Sequence, residues 1–152
     1  MAEVLFYHLE HARLDDVLPG LLEKTLQRGW TAIVRAGTDE TIKRLDEWLW
    51  TYRDDSFLPH GADPSPEVAA RQPIWLTTTT ERPNHADLLF AVDRAEFDVD
   101  EINEFQRCVL IFDGQDETAL SGARAFWKSV KATGADATYW RQNQSGRWEK
   151  QA

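Results

Sequence analysis

The residues best suited to binding chemistry lie on one edge of a helix near the carboxyl end of the chain. Residues 117–133 have helical periodicity, and on a helical projection Trp127 lies beside Arg124, Lys128 and Lys131. A guanidinium group can bind a carboxylate through two parallel hydrogen bonds, and the indole ring offers an apolar surface next to it. We therefore expect a ligand that carries both a carboxylate and an apolar group. The alternative is a solvated Lys/Arg face with Trp127 half inside the core.

A second feature is an aromatic pair in the segment RLDEWLWTYRDDSFLPH. Trp50 falls outside the apolar stripe of its helix, and Phe57 follows in an extended turn just before Pro59 and His60. Aromatic anchors dominate the binding energy of protein interfaces. We therefore expect Trp50 and Phe57 to be exposed and to form one contiguous apolar docking patch with Pro59. The alternative is a loop that folds over both aromatic residues and makes a satellite hydrophobic cluster.

The common catalytic motifs do not occur in the sequence. The chain contains neither G-x-G-x-x-G nor G-x-x-x-x-G-K-[ST], and it has no G-x-S-x-G elbow. Asp113 and Gly114 follow the apolar run VLIF, and without a phosphate-binding loop they predict a strand-end turn rather than a magnesium site. His8 and His11 lack the i, i+4 spacing of a helical metal-binding pair. We therefore expect no catalytic residues, no metal and no cofactor.

The charge of the chain is strongly negative and unevenly distributed. The net charge is −9, but residues 124–152 contain six cations and two carboxylates, a balance of +4, so the first 123 residues carry −13. Direct attraction to nucleic acid is not expected, because phosphate binding depends on accumulated positive charge. A local site for an acidic ligand near the carboxyl-terminal end remains compatible with this distribution.

The cysteine content and the hydropathy pattern indicate the compartment. Cys108 is the one cysteine among 152 residues, and it lies in the apolar run CVLIF, which predicts a buried, inert thiol. No stretch approaches 18 apolar residues, and the amino-terminal segment lacks both a basic region and a small-residue cleavage site. We therefore expect a cytoplasmic protein that neither enters a membrane nor is exported.

Strands and helices alternate along most of the chain. The predicted strands span residues 4–8, 31–36, 74–79, 87–92 and 107–112, followed by a hairpin of 138–142 and 147–151 across NQSG. Helices are predicted from a cap at Asp15 or Asp16 to Gly29 with Pro19 in the first turn, from a cap at Thr38, over 100–106, and over 117–133. Residues 61–73 hold three prolines and predict a long surface loop. This order predicts a single α/β domain, 1–152, with a mostly parallel central sheet flanked by helices.

The same motifs give the sequence a resemblance to a known family. RLDEWLW followed by SFLPH is similar to the signature of the chi subunit of bacterial DNA polymerase III, whose members carry RLDE-x-LW and then SF-x-PH. The opening strand VLFYHL, the helix ARAFWKSVKATG and the Trp-rich carboxyl-terminal strands also fit, so the resemblance covers nearly the whole chain.

The resemblance implies a non-enzymatic accessory protein of the clamp loader with a Rossmann-like fold and no nucleotide. Members of the family join the psi subunit to the acidic, Phe-ending tail of single-stranded-DNA-binding protein, and some engage a helicase-like repair protein. Matched by motif, the tail would bind at Arg124, Trp127 and Lys128, with Lys131 nearby. The psi-like or helicase-like partner would bind Trp50 and Phe57, supported by Pro59 and His60, and DNA would be contacted only indirectly. The alternative function is a nucleotide-dependent enzyme with a cleft at the strand ends.

Overall fold

The chain folds into one seven-stranded sheet with helices packed against it; the computed structural model describes residues 2–10, 12–52, 58–62 and 65–152. The strands are β1 (Glu3–Leu9), β2 (Ala32–Arg35), β3 (Ile74–Thr77), β4 (Leu88–Ala91), β5 (Arg107–Asp113), β6 (Asp136–Gln142) and β7 (Trp148–Lys150). The helices are α1 (Leu14–Gln27), α2 (Asp39–Thr51), α3 (Pro66–Arg71), a 3₁₀ helix (Val99–Glu104) and α4 (Glu117–Ala132).

The sheet has the strand order β3-β2-β4-β5-β1-β6-β7. Every neighbouring pair is parallel except β6 and β7, which form an antiparallel hairpin. Parallel neighbours need crossover connections, and the alternating helices supply them. The predicted α/β class, with a mostly parallel sheet flanked by helices, is confirmed.

Two hydrophobic cores lie on opposite faces of this sheet, because successive side chains of a strand point to opposite sides. In β1, Val4 and Phe6 pack with α4 and the 3₁₀ helix, whereas Leu5 and Leu9 pack with α1 and α2. His8 follows Phe6 by two residues, so it lies on the α4 face of the sheet. This alternation decides which residues of β1 can reach a site beside α4.

The start of α1 corrects one prediction. The cap is Arg13 rather than Asp15 or Asp16, and the Asp16 carboxylate accepts a hydrogen bond from the backbone N–H of Arg13 at 3.1 Å. Pro19 consequently lies in the second turn, where its missing N–H leaves the carbonyl of Asp15 without a helical donor. The indole N–H of Trp48 donates to that carbonyl at 2.7 Å. Trp48 of α2 therefore closes the gap that Pro19 opens in α1.

Of the other local predictions, the cap of α2 and the carboxyl-terminal hairpin are confirmed, and the loop over residues 61–73 is wrong in part. Thr38 caps α2, since its hydroxyl oxygen accepts from the N–H of Thr41 at 3.2 Å, and the hairpin forms as predicted. The expected loop over residues 61–73 is wrong in part. It contains α3, which begins at Pro66, a residue suited to the first helical position. Within the described residues, no helix is both long and apolar enough to cross a bilayer.

Candidate functional site

The cationic edge predicted for the last helix is formed by α4. Ala123 and Val130 are buried against the sheet, and this orientation leaves Arg124, Lys128 and Lys131 exposed. Trp127 is half-buried at the boundary between the two faces. The helical periodicity of the sequence was therefore sufficient to place these four side chains correctly relative to the core.

The amino-terminal end of α4 is held by Asp116. Its carboxylate accepts hydrogen bonds from the backbone N–H groups of Thr118 and Ala119, at 3.0 and 3.3 Å. A hydrogen bond from the Arg94 guanidinium, reinforced by these backbone bonds, lowers the pKa of the Asp116 carboxyl. An ionised cap at this end complements the positive pole of the helix dipole.

Trp127 forms part of an aromatic cluster between α4 and the sheet. Its ring meets Phe6 edge-on at a centroid distance of 5.1 Å and Tyr139 at 5.8 Å. The ammonium group of Lys131 lies over the Trp127 ring, 5.3 Å from its centroid. Such contacts restrict the orientation of the indole, so Trp127 offers a fixed apolar wall rather than a mobile surface side chain.

A pocket of about 400 Å³ opens beside this wall; we call it the α4–β6 pocket. It is lined by His8, Arg124, Trp127, Lys128, Tyr139, Arg141, Gln151 and Ala152. Three of the four residues predicted for the tail site therefore share one concave surface. Lys131 does not line the pocket, since its ammonium group is stacked on Trp127.

His8 lies at the base of the α4–β6 pocket and is almost completely buried. Its Nδ1 is 2.7 Å from the hydroxyl oxygen of Tyr139. Burial lowers the pKa of His8, and the nearby Glu10 carboxylate opposes part of that effect. Nδ1 of a neutral imidazole can accept a hydrogen bond from the Tyr139 hydroxyl group. Burial raises the pKa of Tyr139, so the phenol stays protonated and can donate that hydrogen bond.

Arg141, which lines the pocket, pairs with a carboxylate just outside the lining, that of Glu10. Oε1 of Glu10 lies 2.6 Å from Nη2 of Arg141 and 2.8 Å from Nε2 of His8. The contact with Glu10 raises the pKa of His8, against the larger opposite effect of burial. Sequence reasoning missed Glu10, Tyr139 and Arg141 and considered His8 only as a metal ligand. The register pairing of His8 with Arg141 joins residues 133 positions apart, which no local pattern reveals.

The second predicted site is partly visible in the structure. Trp50 is 50% exposed, as expected for a residue off the core stripe of α2, and Pro59 is half-buried. The centroid of the Trp50 ring lies 4.5 Å from that of His60. Phe57 lies outside the described residues, so its place in the patch stays a prediction.

His60 supports Trp50 from below rather than contributing surface. Its side chain is buried, with Nδ1 2.7 Å from the carbonyl oxygen of Leu58. Its Nε2 lies 3.1 Å from the carbonyl oxygen of Asp46 and 3.0 Å from the carboxylate of the same residue. Polar contacts on both sides fix the imidazole plane, and the fixed plane gives the exposed indole of Trp50 a rigid base.

Two residues considered for chemistry in the sequence have structural environments. The carboxylate of Asp113 accepts a hydrogen bond from the backbone N–H of Gln115 at 2.9 Å, which is the predicted strand-end turn. Cys108 is buried, and desolvation raises the pKa of its thiol to about 12. No set of three or more potential metal ligands is grouped within the described part of the chain.

Comparison with known proteins identifies the family of the chain. Residues 1–138 match the family described as DNA polymerase III chi subunit, HolC. The chain belongs to the DNA polymerase III chi subunit family. It is also similar to a probable DNA polymerase III subunit chi of Rickettsia prowazekii (strain Madrid E), with 28% identity over 120 residues, covering 74% of this chain and 71% of the relative. Chi subunits are accessory subunits of the replicative polymerase, and the resemblance seen in the sequence is confirmed.

The chi family match covers only some of the residues that line the α4–β6 pocket. Arg124, Trp127 and Lys128 fall inside the matched residues, whereas Tyr139 and Arg141 lie beyond residue 138. The chi family match therefore covers the α4 wall, and the β6 wall is known here only from the structure.

Proposed function

We propose that this protein is a non-enzymatic link between DNA polymerase III and single-stranded-DNA-binding protein, whose acidic, Phe-ending tail it holds in the α4–β6 pocket. The observation that carries the proposal is the union of Arg124, Lys128 and the Trp127 wall in one concave surface. The pocket volume falls in the range of about 300–1,000 Å³ that is usual for sites holding small ligands or side chains.

The chemistry divides between the two ends of the final tail residue. The terminal carboxylate would pair with the Arg124 guanidinium, and the Phe ring would pack on Trp127 and Tyr139. A hydrogen bond to a charged group contributes about 1.5–3 kcal/mol. Aromatic pairs contribute about 0.5–1.5 kcal/mol beyond the area that they bury. Both ends are required, so a peptide lacking either its terminal carboxylate or its ring should bind weakly.

The charge distribution favours binding of a short acidic tail over binding of a partner with a broad acidic surface. The whole chain carries −9, so an acidic partner is repelled at long range, whereas residues 124–152 have a balance of +4. Lys128 lines the α4–β6 pocket and Lys131 lies just outside it. These two lysines would attract the acidic residues upstream of the terminal Phe, an exposed interaction that salt screens.

The experiment is a fluorescence-anisotropy titration of an acidic peptide ending in Phe, at two salt concentrations. Arg124→Ala should weaken binding by roughly tenfold to a hundredfold, since about 1.4 kcal/mol corresponds to a factor of ten. Lys131→Ala should weaken it less, and mainly at low salt. Arg71→Ala, an exposed arginine on α3, controls for the loss of one positive charge. Equal affinity of wild type and Arg124→Ala, or of the peptide without its last Phe, would refute tail binding.

We further propose that Trp50, with Phe57 and Pro59, forms the docking patch for a psi-like or helicase-like partner, so that DNA is reached only through partner proteins. The half-exposed Trp50 ring on a fixed His60 base supports this assignment. Such rigid, exposed aromatic side chains are the usual anchors of protein interfaces.

The alternative of a nucleotide-dependent enzyme finds less support. A pocket of about 280 Å³ lies at the carboxyl ends of β2 and β3, where nucleotides bind in many α/β folds. Its described lining includes the carboxylates of Asp39 and Glu81 and no lysine or arginine. Two carboxylates without a cation repel phosphate groups. A calorimetric titration that showed ATP or NAD binding here would restore the alternative.

A further inference from the structure

The β6 wall of the α4–β6 pocket holds a second guanidinium group whose role the proposed function does not explain. Arg141 lies two residues after Tyr139 on the same face of β6, and it lines the pocket together with Arg124. Its side chain is half exposed. Both guanidinium groups lower the pKa of Tyr139 against the larger effect of burial, which is consistent with positive charge on two sides of the phenol.

Arg141 already has a carboxylate partner within the chain. Glu10, at the end of β1, lies 2.6 Å from Nη2 of Arg141, and its side chain is only 15% exposed. The same Glu10 oxygen is 2.8 Å from Nε2 of buried His8. Glu10 does not itself line the pocket, but its carboxylate pairs with Nη2 of Arg141, a donor that a ligand carboxylate would need in order to bind the same guanidinium group.

We propose that Arg141 is a second carboxylate-binding residue of the α4–β6 pocket and that Glu10 is an internal carboxylate competing with the ligand for it. The inference rests on the proposed function, since it concerns the same acidic, Phe-ending peptide. Arg124 takes the terminal carboxylate, and Arg141 takes an acidic side chain upstream of the terminal Phe. In the free protein the ion pair with Glu10 fixes the position of the Arg141 side chain. When the peptide binds, the negative charge of Glu10 repels the acidic side chain that approaches Arg141.

This arrangement determines specificity as well as affinity. A peptide without upstream acids cannot use Arg141, so Glu10 and Arg141 should hardly affect its binding. A peptide with upstream acids must displace or share the Glu10 pair. Partly exposed ion pairs of this kind contribute modestly, which corresponds to about two- to fivefold in the dissociation constant, and salt weakens them.

The test uses the full chain and two synthetic peptides of six residues that end in Phe, one with two upstream Asp residues and one with Asn in their place. Titrations at pH 7.5 and low salt compare wild type with Glu10→Gln and Arg141→Gln. We expect Glu10→Gln to bind the Asp peptide about two- to fivefold more tightly and Arg141→Gln to bind it about two- to fivefold more weakly. Neither variant should change the affinity for the Asn peptide.

Matched variants separate this inference from simple charge effects. Glu40→Gln on α2 and Arg71→Gln on α3 make the same changes in net charge on exposed positions elsewhere, and they should leave both peptides unaffected. Melting curves verify that Glu10→Gln stays folded. Unchanged Asp-peptide affinity in Glu10→Gln and Arg141→Gln, with binding still weakened in Arg124→Ala, would overturn this inference alone. Failure of wild type to bind the Asp peptide would overturn the proposed function together with it.

Discussion

Replacing Gly114 with alanine should disturb the base of the α4–β6 pocket although Gly114 does not line it. A Cβ atom at this position would overlap the imidazole ring of His8 and lie 2.8 Å from the carbonyl oxygen of Leu9. Gly114 does not have a positive φ, so alanine introduces no backbone strain and the effect is steric. His8 is buried against Phe112 and Tyr139, which leaves its ring little room to move away.

The size of the effect follows from overpacking. Inserting a carbon atom into a well-packed region costs about 1–3 kcal/mol, and for a chain of this length each kcal/mol lowers the melting temperature by about 2–4 °C. Gly114→Ala should therefore melt about 2–12 °C below wild type. Displacement of the His8 ring should also shift Tyr139, whose hydroxyl group contacts His8 and whose ring lines the pocket, so affinity for an acidic peptide ending in Phe should fall.

Gly122 offers a matched control, because it is an exposed glycine within α4 where an added Cβ atom would meet no neighbouring side chain within 4 Å. Gly122→Ala should stabilise the protein by about 0.5–1 kcal/mol, since alanine favours the helix. Differential scanning calorimetry and the peptide titration measure both quantities. A Gly114→Ala variant with the melting temperature and peptide affinity of wild type would refute the packing argument, whatever the control does.

Three further predictions concern other parts of the fold. Trp48→Phe removes the indole N–H that donates to the Asp15 carbonyl, the group that Pro19 leaves without a helical donor. The free energy of unfolding, measured with urea, should fall by about 1–3 kcal/mol, and a fall below about 0.5 kcal/mol would contradict this role of Trp48. Burial lowers the pKa of His8 below its unfolded value near 6.5, so the unfolded chain binds this proton more readily than the folded chain as the pH falls below that value. The melting temperature should therefore drop more from pH 7 to 5.5 in wild type than in His8→Gln, and equal drops would show that His8 makes no contribution. Trp50→Ala should leave the melting temperature nearly unchanged while abolishing capture of a psi-like or helicase-like partner, whereas a large fall in melting temperature would identify Trp50 as a core residue.

The elements that depend on neighbours in the sequence were predictable. Thr38 caps α2 because its hydroxyl reaches an N–H three residues on, and Asp113 forms its turn with a residue two positions away. The place of Arg124 beside Trp127 on α4 also follows from helical spacing alone. The start of α1 was misplaced, because its cap depends on Arg13 and Asp16 together and is not visible from residue type at one position.

The sequence by itself determined the strand and helix alternation, the cationic aromatic edge of α4 and the exposed Trp50, because each depends on a period of a few residues. Only the tertiary structure decided that β1 lies between β5 and β6. That strand order brings His8 and Glu10 beside Tyr139 and Arg141 and turns a helix edge into a pocket with two walls. The physical reason is that parallel strands pair through crossovers, so residues some 130 positions apart become neighbours without any local trace in the chain.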